Sequence, residues 1–447
     1  MKKFILVSVL WALMEICPAQ APACDIAVVS SEASATGRPF LWKNRDYSSS
    51  YREEIVYESA KANDVGPSLR VVGKVMHQTN IPLVSGGVND RGFAIVNATV
   101  TESPLREIAN VNHILLEYAL EKCVSLDDFE ALLDNWFNCY LFVVCGNFGV
   151  IDARGGAAMY EVWSDGTNRL FWEKYDANTA PQGFVVRANS HLTQGWVIRE
   201  GGVTVRYERA QAIFEELVAD QLLSPRPVLR KAGKDVAGDC DKFADSCDSC
   251  EKYLDGEGNS GPDPENFCTD DTLSRNTTTS SYVIDGALNA SDLPFLTLYC
   301  ALGEPSYTPV VPYFLLSGKV PYPARADYMN IFGWVYDLGV GCLLNDASTD
   351  ILSRYDLYAN NGVGLEIRDR TINYSRLTAV QEWMFPLEDF VLDQAEDFMA
   401  DVRSHPELAT SDNFYDFSYQ CARYTYKNYA KGSSDTYPWE YTPPWEE

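Results

Sequence analysis

The pattern of apolar and polar positions near the start of the chain predicts two β-hairpins. Four runs of mainly apolar residues have the length of short strands and occur in two neighbouring pairs. These runs are residues 25–30, 39–43, 81–84 and 93–96. The first pair is joined by a small polar segment that contains Gly37, and the second by residues 86–92, where Gly, Asn and Asp tolerate positive φ. Each pair therefore has a turn of suitable composition between its strands.

The period of the pattern changes after residue 110 and predicts two amphipathic helices. Apolar side chains spaced for one helical face occur at Val111, Ile114, Leu115, Tyr118 and Ala119. A second helix begins at Ser125, whose side chain can cap it, with Asp128 completing a capping box. Helices with one apolar face of this kind are expected to cover a sheet.

Further strands and helices follow in groups rather than in strict alternation. Strand patterns occur at residues 141–144, 149–152, 157–162, 184–188, 281–284 and 295–298. Helices are predicted near residues 207–218 and at 374–404, the latter with a kink at Pro386, whereas residues 435–447 are expected to be irregular. This grouping favours an α+β fold with segregated layers over an alternating parallel α/β sheet.

Residues 239–271 differ in composition from their surroundings and predict an inserted acidic segment. The segment contains many carboxylates and four cysteines, Cys240, Cys247, Cys250 and Cys268. Disulfides are expected to tie it, because an exported chain oxidises such thiols, and a zinc site with the same four ligands is the alternative. Asp255, Glu257 and Asn259 alternate as calcium ligands can, but without the glycine and glutamate of a calcium loop, so a solvated acidic loop is favoured.

The charge balance limits the classes of partner. The chain has 447 residues, enough for one large domain or two ordinary ones, with 36 Lys and Arg against 63 Asp and Glu and a formal net charge of −27. A surface this acidic repels a phosphate backbone and an anionic bilayer. We therefore expect neither nucleic acid nor a membrane surface as a partner.

The first 23 residues have the pattern of a signal peptide. Lys2 and Lys3 precede an apolar run, residues 4–14, that is too short to cross a bilayer, and Ala21-Pro-Ala-Cys24 offers small residues to a signal peptidase. Cleavage after Ala23 would export a periplasmic or secreted chain that begins at Cys24, with no membrane span later. A lipoprotein site at Cys24 is the alternative, but such sites favour a branched aliphatic residue where Ala21 stands.

The number of cysteines is consistent with one special thiol. Of the 12 cysteines, Cys17 is lost with the signal peptide and Cys24 is set apart. In an oxidising compartment the remaining ten can form five disulfides. They are Cys123, Cys139, Cys145, Cys240, Cys247, Cys250, Cys268, Cys300, Cys342 and Cys421.

A cysteine at the amino terminus combines a nucleophile and a base. A thiol ionises only slightly at neutral pH and needs a base or a nearby cation, and the terminal α-amino group can take its proton directly or through water. No catalytic histidine is then required. This suits a chain whose four histidines, at positions 77, 113, 191 and 405, lie in no evident cysteine-protease motif.

The residues after Cys24 resemble a known family. The strand pattern from Gly37 ends in Lys43-Asn-Arg-Asp46. This arrangement resembles the opening of N-terminal-nucleophile (Ntn) hydrolases of the choloylglycine hydrolase and acyl-coenzyme A:6-aminopenicillanic acid acyltransferase type, in which the second strand ends in Arg-Asn-x-Asp. Lys43 stands in the place of the usual arginine, and it retains a cation while losing the bidentate fork.

The resemblance continues in order along the chain and covers residues 24–320. Similar segments are the hairpin of residues 87–97, the helix pair around Cys123 and Ser125, residues 147–161, the strand of residues 183–189, and the helix start at 207–209. Each segment alone is weakly specific. Five of them in series, behind a cleavage site, form a fairly specific pattern.

The resemblance implies roles for five residues. Cys24 attacks the amide carbonyl, and Lys43 supplies a cation beside the thiol. Asp46 holds the terminal ammonium or orients the nucleophile, while Asn97 and Asn189 donate amide N–H groups to the oxyanion. The structural alternatives are a turn-capping aspartate, asparagines that satisfy strand ends and a surface lysine. Arg209 is expected to be structural or a distant substrate contact.

The implied fold has four layers in the order αββα, with Cys24 at the end of a central strand. The domain covers residues 24–447, including the disulfide-tied insertion at 239–271 and a mostly helical extension, residues 321–447, packed on the same domain. The implied function is an exported amidase that needs no cofactor. It would cleave a linear amide of an N-acyl amine, acyl amino acid or small peptide through a thioester.

Several functional questions stay open at the level of sequence. The partner expected is a small-molecule amide, transfer to an amine can compete with hydrolysis, and homo-oligomerisation is left open. The alternative function is a lipid-anchored, inactive Ntn-like surface binding protein, in which Cys24 carries acyl chains.

Overall fold

The computed structural model describes most of the chain from Cys24 onward. The described residues are 24–47, 51–75, 83–100, 109–136, 142–164, 169–193, 202–237, 266–269, 272–325, 328–331, 334–337, 342–358 and 371–443. Residues 1–23 and the cysteines at 139, 240, 247 and 250 lie outside these ranges. The signal peptide, and the disulfide, zinc and calcium interpretations of the acidic insertion, therefore stay predictions.

Strands occupy both halves of the described chain. In chain order they are β1 Cys24–Val29, β2 Phe40–Asp46, β3 Tyr51–Glu58, β4 Ser68–Val75, β5 Leu83–Asn89, β6 Ala94–Thr99, β7 Ala109–Asn110, β8 Phe142–Val143, β9 Gly146–Ile151, β10 Ala157–Ser164, β11 Leu170–Asp176, β12 Phe184–Arg187, β13 Asn266–Cys268, β14 Thr278–Asp285, β15 Thr297–Leu302, β16 Val311–Phe314, β17 Tyr328–Ile331, β18 Trp334–Asp337 and β19 Thr371–Asn373.

The helices fall into an early, a middle and a late group. They are α1 Asn112–Lys122, α2 Leu126–Asp134, α3 Gly202–Ala219, α4 Pro225–Val228, α5 Leu343–Tyr355, α6 Tyr374–Ser404 and α7 Ser411–Lys431. Ser125 caps α2 as predicted, since its side chain accepts a hydrogen bond from the Asp128 backbone N–H at 3.2 Å. The long helix also has its predicted bounds and contains Pro386.

Two antiparallel sheets form the centre of the fold. The first has the strand order β12-β1-β2-β14-β15-β16, so the first predicted hairpin lies in its middle. The second has the order β11-β10-β9-β6-β5-β4-β3 and contains the second predicted hairpin. The sheets face each other closely at Gly149, where an added Cβ would lie 2.9 Å from Val28 Cγ2.

Helices cover the outer face of each sheet. Helices α1 and α2 pack on β5, β6 and β11, whereas α3 packs on β1 and β12, and α6 and α7 pack on β16. The described residues therefore have the helix–sheet–sheet–helix order that the resemblance implied. The late helices, which belong to the predicted C-terminal extension, pack against the first sheet.

The apolar pattern did not predict the charged strand β3. Its sequence is Tyr-Arg-Glu-Glu-Ile-Val-Tyr-Glu, yet Glu53 and Glu54 are both buried. Glu53 forms an ion pair of 2.7 Å between its Oε1 and Arg45 Nε on β2, and its Oε2 accepts from the Thr279 hydroxyl at 3.2 Å. A strand that buries paired charges lacks the apolar alternation on which the sequence pattern depends.

The disulfide expectation is wrong for several cysteines of the fold. Four of the ten that were expected to pair are buried free thiols, namely Cys123, Cys300, Cys342 and Cys421. They lie in the interior of the domain, where a small thiol packs as an apolar group. An even number of cysteines therefore did not indicate their pairing.

The sequence predicted no membrane-spanning helix after residue 23. Within the described ranges, no helix combines the length and the apolar character that a bilayer crossing requires. The longest helix, α6, is amphipathic, because its buried face is mostly apolar and its exposed face contains carboxylates.

Candidate active site

Cys24 lies at the first position of an interior strand. Strand β1 is paired with β12 on one side and β2 on the other, and Cys24 is opposite Arg45. Alternation along β1 places Cys24 on the same face as Val28, which contacts the second sheet. Residue Cys24 is only 3% exposed. Its thiol therefore lies between the two sheets, at one end of the domain.

Asn189 holds the backbone nitrogen of Cys24. That nitrogen donates to Asn189 Oδ1 at 2.7 Å, and the Arg206 Nη2 donates to the same oxygen at 3.0 Å. The nitrogen is a peptide N–H in the full-length chain, and it stands in for the α-amine that cleavage after Ala23 would produce. Since both partners can only donate, the amide oxygen of Asn189 must face them.

The other end of the Asn189 amide binds the second sheet. Its Nδ2 donates to the Thr99 carbonyl at 2.6 Å. The amide oxygen is therefore the group directed at the Cys24 nitrogen, and the oxyanion contact expected from the sequence stays a prediction. Asn189 is placed to orient the amine.

Arg206 is a site residue that the sequence analysis missed. Its Nη1 donates to Asp25 Oδ1 at 2.7 Å, and both side chains are almost fully buried. Burial raises the pKa of Asp25, an effect that the Arg206 charge opposes. Arg209, the arginine singled out from the sequence, instead binds Asp235 at 2.7 Å and is not part of the site. The two arginines are three residues apart on α3, and only the first faces β1.

Lys43 is a buried cation between the sheets. Its Nζ donates to the Ser85 carbonyl and to Asn97 Oδ1, both at 3.0 Å. Burial lowers the pKa of Lys43 to about 8, and the charge of the neighbouring Cys24 thiolate acts in the opposite direction. The structure therefore excludes the surface-lysine alternative and places this cation within electrostatic reach of the thiol.

The bond to Lys43 orients the Asn97 amide. An ammonium group can only donate, so Asn97 must present Oδ1 to it. The Nδ2 group, with its two N–H donors, is then left for another acceptor. Asn97 lies on β6 opposite the first sheet, and this is the orientation that an oxyanion donor needs.

Asp46 interacts with a second arginine that the sequence analysis missed. Its Oδ2 accepts from Arg275 Nε at 2.8 Å and its Oδ1 accepts from the Thr278 hydroxyl at 2.5 Å. Burial would lower the pKa of Arg275, but the charge and hydrogen bonds of Asp46 outweigh this effect and raise it. Cys24 and Asp25 are also within electrostatic reach of Arg275, so Asp46 is linked to the nucleophile through this guanidinium.

Buried side chains fix the loop that carries Asn189. Asn147 Nδ2 donates to the carbonyls of Ala188 at 2.7 Å and Ser190 at 3.0 Å. Glu161 accepts from Arg187 Nε at 2.8 Å. These bonds come from neighbouring strands of the second sheet, and they hold the acceptor of the Cys24 nitrogen from both sides.

One histidine beside this site is uncharged. His191 is buried near the loop, and its Nε2 lies 3.3 Å from the Gly146 carbonyl. Burial lowers the pKa of His191 to about 4, so the imidazole is neutral at physiological pH. The described residues also contain no group of three His, Cys, Asp or Glu side chains arranged to hold a metal ion.

Comparison with known proteins supports the resemblance seen in the sequence. Residues 33–202 match the family model described as acyl-coenzyme A:6-aminopenicillanic acid acyl-transferase. The family resemblance is confirmed over this segment. The matched segment includes Lys43, Asp46, Asn97 and Asn189, whereas Cys24 lies just before the segment.

Two solved structures are similar to this chain. A mutant of conjugated bile acid hydrolase from Clostridium perfringens is similar, with 10% identity, a TM-score of 0.35, and coverage of 65% of this chain and 96% of that chain. A second variant of that hydrolase has 10% identity, a TM-score of 0.34, and coverage of 62% and 89%. No curated protein sequence matched.

Proposed function

We propose that this protein is an N-terminal-cysteine amidohydrolase that cleaves linear amides through a thioester on Cys24. The observation that carries the proposal is the placement of both reactive groups of one residue. The Cys24 nitrogen is held by Asn189 at 2.7 Å, while the thiol lies between the sheets near the buried Lys43 cation. A nucleophile, a base and a fixed positive charge thus meet at one strand end.

Removal of residues 1–23 is the activating step in this proposal. In the uncut chain the Cys24 nitrogen is an amide and cannot accept a proton. Cleavage after Ala23, on export, turns it into an α-amine whose ordinary pKa is about 7.7 to 8.0. Asn189 already occupies the position that orients this amine, so cleavage creates the base without requiring the strand to move.

Acylation consists of two proton transfers around one bond exchange. The α-amine takes the thiol proton, the sulfur forms a bond to the amide carbon, and the carbonyl electrons move to oxygen. The resulting ammonium then gives its proton to the departing nitrogen as the C–N bond breaks. A thioester on Cys24 and a free amine are the products.

Deacylation repeats the sequence with water. The α-amine, again neutral, takes a proton from water as the water oxygen attacks the thioester carbon. The sulfur leaves and regains a proton, and a carboxylic acid is released. When an amine takes the place of water, the same step transfers the acyl group to a new nitrogen.

Two side chains stabilise the negative charges that develop. Asn97 directs its Nδ2 N–H groups to the oxyanion, since its oxygen is occupied by Lys43. Lys43 stabilises the thiolate, because its ammonium is buried and weakly screened. Asp46 and Arg275 form the next layer around the strand end and act through their charges rather than by contact with the amine.

The burial of Cys24 argues against the alternative of a lipid-anchored binding protein. A lipidated cysteine has to be at an accessible terminus from which its acyl chains reach a bilayer. Cys24 is instead 3% exposed and paired with Arg45 at the start of an interior strand. Its surroundings favour nucleophilic chemistry over anchoring.

Hydrolysis of chromogenic amides tests the proposed function. We expect mature protein, with Cys24 verified as its first residue by Edman sequencing, to release 4-nitroaniline from some members of a panel of N-acyl 4-nitroanilides. Protein that retains residues 1–23 is the matched control and should be inactive. If the cleaved and uncleaved forms were equally active, the α-amine could not be the base.

Asn97→Leu should reduce kcat by about 10²-fold to 10³-fold with little change in KM. Leucine has nearly the same volume but cannot donate to the oxyanion, which forms only during reaction. Steady-state kinetics on the best amide of the panel measures the effect. Asn178→Leu, an exposed asparagine that bonds the Gly155 carbonyl, is the control and should leave kcat unchanged. A KM effect alone would assign Asn97 to substrate binding instead.

A further inference from the structure

A cavity lies far from the thiol, between the first sheet and the late helices. It encloses about 640 Å³, within the usual range for small-molecule sites. Its walls come from the β1–β2 turn, from α4, from the end of β14 and from α6. Its lining includes Arg38, Asp285, Leu288, Leu392, Met399 and Arg403.

This cavity is separate from the candidate active site. Cys24 is paired with Arg45, whereas Asp285 is paired with Phe40, five residues along β2, which corresponds to about 17 Å. The two also lie on opposite faces of the sheet. Tyr282 on β14 contacts Ser85 of the second sheet, and Asp285, three residues later, faces away from it.

Asp285, which lines the cavity, has one carboxylate oxygen without a hydrogen-bond partner among the described residues. One of its oxygens, Oδ2, forms an ion pair with Arg38 Nη2. The other, Oδ1, is buried and has no hydrogen-bond partner among the described residues. Burial raises the pKa of Asp285 to about 6 although Arg38 and Arg403 are nearby. A buried carboxylate with a vacant lone pair is costly unless a donor reaches it.

Arg403 lines the same cavity, and its guanidinium N–H groups form no ion pair with a carboxylate of the described residues. Its guanidinium lies over the Phe295 ring at 4.5 Å and, in the described part of the chain, donates to no carboxylate. Arg226, another arginine of the wall, is by contrast occupied by Asp389 at 2.9 Å and Asp393 at 2.6 Å. Asp285 and Arg403 therefore keep hydrogen-bonding capacity for a ligand, while the other wall carboxylates, Asp292 and Glu396, lie beside the Leu288 backbone N–H at 3.0 Å and Arg226 at 3.7 Å.

The geometry points to a binding site for a free apolar α-amino acid in this cavity. Its ammonium group donates to Asp285 Oδ1, and its carboxylate accepts from Arg403. Its side chain packs against Leu288, Leu392 and Met399. A zwitterion gives both groups a partner of opposite charge, whereas a simple anion would leave Asp285 without a donor and a simple cation would gain nothing from the exposed Arg403.

Isothermal titration calorimetry of the full chain with L-leucine tests this site. We expect a Kd of about 1 mM or tighter for L-leucine, and at least about tenfold weaker binding of N-acetyl-L-leucine and L-leucinamide. Arg403→Gln should weaken L-leucine by at least about tenfold. Arg423→Gln, an arginine of α7 that pairs with Glu440 outside the cavity, should bind L-leucine normally.

A second variant protects the test against loss of the fold. Met399→Trp places an indole in the cavity without removing a charge, and it should also abolish L-leucine binding, while circular dichroism reports whether each variant is folded. Absence of heat with wild-type protein would overturn the proposal. So would equal binding of either blocked derivative, or binding that persists in a folded Met399→Trp variant. None of these outcomes depends on amide hydrolysis, so this site and the proposed function can fail separately.

Discussion

Cys24→Ala should abolish amide hydrolysis, lowering kcat/KM by at least roughly 10⁴-fold. Alanine leaves the α-amine, Asn189 and Lys43 in place but removes the sulfur that forms the thioester. The hydroxyls described near the site do not replace the sulfur, since Thr278 donates to Asp46 at 2.5 Å and Ser85 donates to the Val71 carbonyl at 3.2 Å. Release of 4-nitroaniline by cleaved variant and cleaved wild type, at equal concentration, measures the effect.

Cys123→Ala is the matched control for this substitution. Cys123 is also a buried free thiol, but it lies in the layer of α1 and α2, and burial raises its pKa to about 12. It is therefore a poor nucleophile, and its loss should leave turnover unchanged. Hydrolysis by Cys24→Ala within tenfold of wild type would contradict the mechanism, whatever the behaviour of the control.

Lys43→Gln should lower kcat/KM by about 10²-fold, because it removes the buried positive charge beside the thiolate. The pKa of Lys43 is lowered to about 8, so the ammonium form dominates below pH 8 and is lost as pH rises through this value. In wild type, kcat/KM should accordingly fall above about pH 8. The glutamine variant should lack this fall and be slow at every pH. A pH profile of kcat/KM for both proteins measures it.

Lys43→Arg distinguishes charge from shape. An arginine stays protonated beyond pH 12, so the fall above pH 8 should disappear while activity is retained. The resemblance also places arginine at this position in related proteins, which suggests that the fold can accommodate it. A fall near pH 8 that persists in this variant would assign the titration to another group and contradict the proposed role of Lys43.

The sequence predicted the elements whose patterns are local. The two hairpins, α1, α2 and α6 were found close to their expected positions, because apolar periodicity and the Ser125 cap are properties of adjacent residues. The resemblance placed Cys24, Lys43, Asn97 and Asn189 together, since a family motif carries spatial information that periodicity lacks.

The parts that were missed depend on which face of an element a residue occupies. Arg206 and Arg209 are equivalent in sequence, and only the packing of α3 on β1 shows which one binds Asp25. Arg275 lies far from Asp46 in the chain, and it follows a segment whose composition resembles a solvated loop. The contact of the Asn189 oxygen with the Cys24 nitrogen was also not foreseen, and the oxyanion role of its amide N–H stays a prediction.

The most direct test of the central claim is to find the acyl group on the enzyme. Mature protein is quenched in acid during turnover of its best N-acyl 4-nitroanilide, and its peptides are analysed by mass spectrometry. The account predicts that the amino-terminal peptide gains the mass of the acyl group, on the Cys24 sulfur, and that this peptide is unmodified in Cys24→Ala. Turnover without acylation of Cys24, or a stable acyl group on another cysteine, would contradict it.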